Sequence, residues 1–154
     1  MFEDRCGRGP HGVGLQSMKR LVWLVPLLAL GLAAQSLDIY GLMLSRNIRE
    51  GGDLGPVVMS VAQHFKLRPS KEAAAAFSGA LKRAMEGRNL ADGSVDRLAT
   101  GIVGAIYAAS VSGNSPGQAL ARVETLLATT GTSLEDARAV RDRLGEVCGM
   151  ARVQ

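Results

Sequence analysis

The chain has 154 residues, enough for one domain with a single hydrophobic core, and its formal net charge is +4. A charge this small attracts a polyanion weakly, and Phe, Trp and Tyr together make up only 4% of the sequence, too few for a surface that stacks on bases. Nucleic acid is therefore not expected as a partner.

The first seventeen residues show no apolar periodicity, and they precede a second methionine, Met18. Because a secretory signal normally begins at its own methionine, we interpret residues 1–17 as a start-site artefact or a disordered tail. The alternative is a tail that binds a metal through Cys6 and His11, but a metal site needs more than two ligands.

Residues 18–34 have the three parts of a secretory signal peptide in the usual order. A short basic region, MKR, is followed by an apolar stretch from Leu21 to Leu32 and then by small residues. Gly31 and Ala33 suit the positions before a cut after Ala33, and a cut after Ala34 is the alternative. The sequence therefore predicts a periplasmic or secreted protein.

An uncleaved membrane anchor is the other interpretation of the same segment. The apolar stretch is shorter than the roughly 20 residues that span a bilayer, which favours cleavage. In both cases the basic end stays in the cytoplasm and the following domain lies outside it, so contact with a membrane is expected only through an uncleaved signal. Cleavage removes four basic and two acidic residues, which leaves a formal charge of +2.

Residues 35–55 have no clean period, and we expect a lead-in or linker that forms either a short helix or an extended segment. The helical domain is predicted over residues 56–152. Pro56 suits the first turn of its first helix, and the apolar residues that follow recur at helical spacing. They are Val58, Val61, Ala62 and Phe65.

Ser70 is the predicted N-cap of the next helix, and Gly87 is its predicted end. The apolar stripe of this helix consists of Ala73, Ala76, Phe77, Ala80, Leu81 and Ala84. The opposite, solvated side is predicted to carry Lys71, Ser78, Lys82 and Glu86.

Three further helices complete the predicted domain. One starts at Ser94 and is apolar almost all round from Leu98 to Val111, which is typical of a buried helix. The sequences Ser115-Pro116-Gly117-Gln118 and Thr132-Ser133-Leu134-Glu135 are helix-start signals for the last two. Since no period-two pattern is present, we predict an all-α fold, a compact bundle of about five helices that follows the signal peptide.

Small residues recur in two rows on the predicted helix that starts at Ser94. Gly101, Ala105 and Ala109 repeat every four residues, and Gly104 and Ala108 form a parallel row. Such rows let a neighbouring helix approach closely. They predict a helix crossing within the chain, or else a partner face, either the seam of a homodimer or a groove for a partner helix.

Candidate chemical groups are few after the signal. His64 is the only histidine there, and Cys148 is the only cysteine. No HExxH, CxxC, GxSxG or phosphate-loop spacing accompanies them, so no catalytic residue, metal site or cofactor is predicted. We interpret His64 as structural and Cys148 as a small buried apolar residue, with an intermolecular disulfide as the alternative for Cys148.

These observations favour an exported, non-enzymatic helical module that binds an as yet unknown protein or acts at the cell envelope. A carrier of a small apolar ligand is the first alternative, because a helical bundle can enclose a pocket. An enzyme of the hydrolase type is the second, and the shortage of histidine, cysteine and clustered acids counts against it.

Overall fold

The computed structural model describes residues 35–111 and 115–150, and within these ranges it contains α-helices and no β-strand. The all-α class is thereby confirmed. The predicted signal peptide with Ala33 and Ala34, residues 1–17 and the end of the predicted domain lie outside the described residues. Apart from Gln35, all described residues belong to one compact unit of the chain, which begins at Ser36.

Six helices lie in the described ranges, rather than about five. They are α1 (residues 35–50), α2 (Gly55–His64), α3 (Lys71–Met85), α4 (Asp92–Ser110), α5 (Gly117–Thr129) and α6 (Leu134–Val147). The additional helix is α1, which occupies most of the predicted lead-in. Its inner side is built from Leu37, Tyr40, Leu44 and Ile48 at helical spacing. A second apolar set on its outer side hides that period in the sequence.

Capping residues explain where several helices begin and end. The Ser70 side chain accepts a hydrogen bond from the backbone N–H of Ala73 at 3.0 Å, and Ser133 caps α6 in the same way. Gly87 and Gly131 follow α3 and α5 with positive φ angles of 69° and 84°, a conformation that suits glycine. Ser70, Gly87 and Gly131 match the predicted cap and the predicted stops, and Ser133 lies within the predicted start signal of the last helix.

Two predicted starts are displaced by one or two residues. Helix α4 begins at Asp92, two residues before Ser94, and its N-cap residue is Ala91, so no side-chain cap marks this start. Helix α5 begins at Gly117 with Pro116 as its N-cap residue, and Ser115 lies one position outside, accepting a bond from the Gly117 N–H at 3.3 Å.

The core lies where α6 packs against α3 and α5, and where α5 packs against α4. Helix α2 covers α3 and part of α4. The largest fully buried side chains come from every helix, among them Leu44, Val58, Phe77, Leu81, Leu98, Ile102, Ile106, Val123, Leu127 and Leu144. Burial of these apolar groups is the main stabilising contribution.

Ser78 departs from its prediction. Its position in the helical period predicts the solvated side of α3, but the residue is buried. Its hydroxyl accepts a hydrogen bond from the backbone N–H of Leu54 at 3.0 Å and donates one to Asp53 at 3.0 Å. The side chain therefore satisfies a buried donor at the start of α2, which no helical period could reveal.

Candidate interaction surfaces

The first row of small residues on α4 faces the other helices of the chain. A Cβ atom on Gly101 would lie 3.2 Å from Cδ1 of Leu126 and 3.5 Å from Cγ2 of Val123, both on α5. Ala105 is fully buried, and its carbonyl oxygen lies 3.8 Å from the Cys148 sulfur. The small size of Gly101 and Ala105 is thus used at crossings inside the chain.

The second row is open. A Cβ atom on Gly104 would meet no atom within 4 Å, and Ala108 is partly exposed. Gly104 lines a surface cleft of about 550 Å³, to which Gly101 also contributes, and Ala108 lines a second cleft of about 780 Å³. Ala119 and Arg122 of α5 line both clefts. Ala109, of the first row, is partly buried against the core. The predicted face therefore has an inner part with Ala105 and an outer part with Gly104 and Ala108, and Gly101 lies at the boundary between them.

Helix α1 presents an apolar outer face that the sequence analysis did not assign. Ile39, Leu42 and Met43 are 58%, 68% and 43% exposed. Their i, i+3 and i+4 spacing places them on one side of the helix. That spacing was the available signal, but it overlaps the buried set of α1 in the sequence. Contiguous exposed apolar groups of this kind mark interaction sites more often than isolated ones do.

Charged residues on the same side of α1 surround the apolar group. Asp38, Leu42 and Arg46 are exposed and form one i, i+4, i+8 row, with an acid at one end and a base at the other. The Arg46 guanidinium contacts Glu50 at 2.8 Å. Arg49 contacts the Asp96 carboxylate of α4 at 2.6 Å. The arginines of this helix are thus compensated by carboxylates.

His64 belongs to a cluster of aromatic rings. Its ring centroid lies 4.9 Å from that of Tyr40 and 5.0 Å from that of Phe65, and Phe65 lies 5.3 Å from Tyr107. These rings join the end of α2 to α1 and α4. Tilted and edge-on ring contacts of this type stabilise packing, and sequence reasoning could not have brought the four residues together.

Cys148 is buried beside the end of α6. Burial raises the pKa of its thiol to about 12, so the nucleophilic thiolate is scarce at neutral pH.

In the described parts of the chain, no three His, Cys, Asp or Glu side chains are grouped as metal ligands. In those same parts, no helix has the length and apolar character needed to cross a bilayer.

Carboxylates also neutralise the basic residues of α6. The Arg141 guanidinium contacts Glu124 of α5 at 2.6 Å and Asp142 at 2.7 Å, and Arg143 contacts Glu146 at 3.1 Å. This is the arrangement of a solvated helix face rather than of a phosphate-binding patch.

Comparisons of the chain with protein-family models, with curated proteins and with solved structures find no match.

Proposed function

We propose that this protein is an exported, non-enzymatic helical module that binds protein through the outer face of α1. The exposed apolar group of Ile39, Leu42 and Met43 is the observation that carries the proposal. Covering such side chains removes apolar surface from water, which favours association. Predicted cleavage after Ala33 or Ala34 would make α1 the first helix of the mature chain, with almost no residues before it to cover this face.

The charge pattern favours a protein over a lipid surface. Helices that lie on anionic membranes carry uncompensated Lys and Arg beside their apolar face. On α1, Arg46 is matched by Glu50 and Arg49 by Asp92 and Asp96, so little free positive charge is left. A partner with its own apolar strip and both signs of charge fits this face better.

A second copy of the chain meets those requirements. Asp38 and Arg46 lie four residues on either side of Leu42, along one row of the exposed surface. If two α1 helices cross antiparallel about a two-fold axis near Leu42, Asp38 of each copy faces Arg46 of the other. A parallel pair would place like charges together, which is unfavourable. We therefore infer an antiparallel pairing of α1 with α1.

One helix face is small compared with the surface that permanent dimers bury, so we expect reversible association. Sedimentation velocity of the exported protein over a range of concentrations measures it. The wild-type protein should associate as concentration rises, and Leu42→Glu should stay monomeric. Leu134→Glu is the matched control, because Leu134 is 51% exposed but lies on α6, and it should associate like the wild type.

Charge reversal gives an independent check on the same face. Asp38→Arg or Arg46→Asp alone should weaken association, because each places like charges across an antiparallel pair. The double variant should recover it, because opposite charges then face each other again. A monomeric wild-type protein at all concentrations, or one that binds lipid vesicles through Leu42 instead, would contradict the proposal.

A further inference from the structure

A surface cleft of about 450 Å³ lies between the α1–α2 loop and the second half of α3. Its volume is in the range of small-molecule sites. One wall is formed by Asn47, Gly51 and Gly52, and the other by side chains of α3. The cleft is separate from the outer face of α1.

The base of the cleft is apolar. Leu54 and Leu81 line it and are buried in the core, and Ile48 and Met85 line it while packing against the core. These aliphatic side chains offer a surface for a hydrocarbon group, which gains by leaving water. The adjoining backbone donors of the loop are already used, since the N–H of Gly52 bonds to the Asn47 carbonyl at 3.1 Å.

Gly79 lines the cleft on the α3 side and has no side chain that projects into it. A Cβ atom at this position would meet no atom within 4 Å, so packing inside the described chain does not require glycine. Glycine in the interior of a helix is less favourable than alanine. Glycine at position 79 therefore lowers the stability of α3, and its missing side chain leaves room in the cleft. Such a loss of stability is expected at a site that a ligand fills.

The rim of the cleft is basic. Lys82, Arg83 and Arg88 line it, with Glu86 as the acidic lining residue. Within residues 35–111 and 115–150, none of the three cations is in a salt bridge, unlike the arginines of α1 and α6. In these ranges Arg83 and Arg88 have no carboxylate at salt-bridge distance, whereas Lys82 lies near enough to Asp53 to help lower the pKa of that carboxylate. Cations beside a low-dielectric wall attract an anion.

We propose that this cleft binds an amphiphilic anion, a carboxylate on an unbranched hydrocarbon chain. The chain lies over Leu54, Leu81 and Met85, where Gly79 leaves space. The carboxylate contacts Lys82 and Arg83 at the rim, with Arg88 closing the far side. Charge-assisted hydrogen bonds from these groups select the acid over the corresponding alcohol.

Amide NMR titration of the exported protein with sodium decanoate, below its micelle concentration, tests this site. Saturable shifts are expected at Gly51, Gly79 and Arg88. Acetate, which has the charge without the chain, and decan-1-ol, which has the chain without the charge, should both bind more weakly. Lys82→Gln combined with Arg83→Gln should weaken decanoate binding by about tenfold, whereas Lys71→Gln, outside the cleft on the same helix, should not.

Two substitutions of Gly79 separate binding from folding. Gly79→Leu should block the cleft, and Gly79→Ala should raise the melting temperature while weakening decanoate. Ala128→Leu, at an exposed position of α5, is the control for the added side-chain volume. Absence of saturable shifts, equal binding of decan-1-ol, equal binding of acetate, or unchanged binding by Gly79→Leu would each overturn the proposal. Leu42→Glu should bind decanoate normally, so this test is independent of α1 pairing.

Discussion

The hydroxyl of Ser78 lies 3.0 Å from the carboxylate of Asp53 and donates a hydrogen bond to it. The Gly55 backbone N–H, at 2.9 Å, and the Ser78 hydroxyl together lower the pKa of Asp53. The same hydroxyl accepts the backbone N–H of Leu54. One side chain of α3 thus fixes the loop that begins α2 and that borders the cleft.

Ser78→Ala should lower the free energy of unfolding by about 1–3 kcal/mol, because it leaves the buried Leu54 N–H without its acceptor. Urea unfolding measures the loss. Ser60→Ala, on the exposed side of α2, should change the value by less than about 0.5 kcal/mol. Equal effects of the two substitutions would show that the Ser78 bond contributes nothing.

The two glycines of α4 should respond differently to alanine. Gly104→Ala should stabilise by about 1 kcal/mol, the full helix-propensity difference, because its new methyl group meets no neighbour. Gly101→Ala should gain less, because Leu126 must move by a few tenths of an ångström. Gly101→Leu should cost about 1–3 kcal/mol by overpacking against α5. Thermal melts of the three variants measure these changes in stability. A larger stabilisation by Gly101→Ala than by Gly104→Ala would contradict the close packing of Gly101 against α5.

Cys148 should make the protein sensitive to alkali. The pKa of the folded-state thiol, about 12, lies above that of an exposed thiol. Below about pH 9 the thiol is protonated in both the folded and the unfolded state, so the protein keeps its full free energy of unfolding. Stability is then lost from there up to the folded pKa, at up to about 1.4 kcal/mol per pH unit. The unfolding free energy of the wild type should therefore fall more steeply between pH 9 and 11 than that of Cys148→Ala. Parallel curves for the two proteins would contradict this.

Export is the prediction on which the position of α1 in the mature chain depends. The small residues before the cut predict a mature N-terminus at Ala34 or Gln35. Intact-mass measurement of the protein from the periplasm or medium checks this. A full-length species confined to the cytoplasm would exclude it.

Helix positions and buried stripes were largely predictable, because caps and period are local properties. Ser70, Ser133, Gly87 and Gly131 mark helix ends through their own side chains or backbone preference. Local pattern failed where two apolar sets share one helix. In α1 the inner set with Leu44 and the outer set with Leu42 cancel each other's period, and the helix resembled a linker.

The candidate surfaces depended on contacts between distant residues, which a single sequence does not give. The partners of Ser78 are 24 and 25 residues away in the chain. The division of the small-residue rows depends on where α5 crosses α4, so Gly101 and Gly104 looked alike in the sequence. The cleft at Gly79 required the α1–α2 loop to be placed beside α3.

Disulfide trapping between two copies tests the antiparallel pairing of α1 most directly. In a Cys148→Ala background, Asp38→Cys protein is mixed with Arg46→Cys protein and oxidised mildly. Because residue 38 of one copy faces residue 46 of the other, we expect a covalent dimer in the mixture and little in either protein alone. Dimers of Asp38→Cys with itself, or no dimer in the mixture, would contradict the pairing.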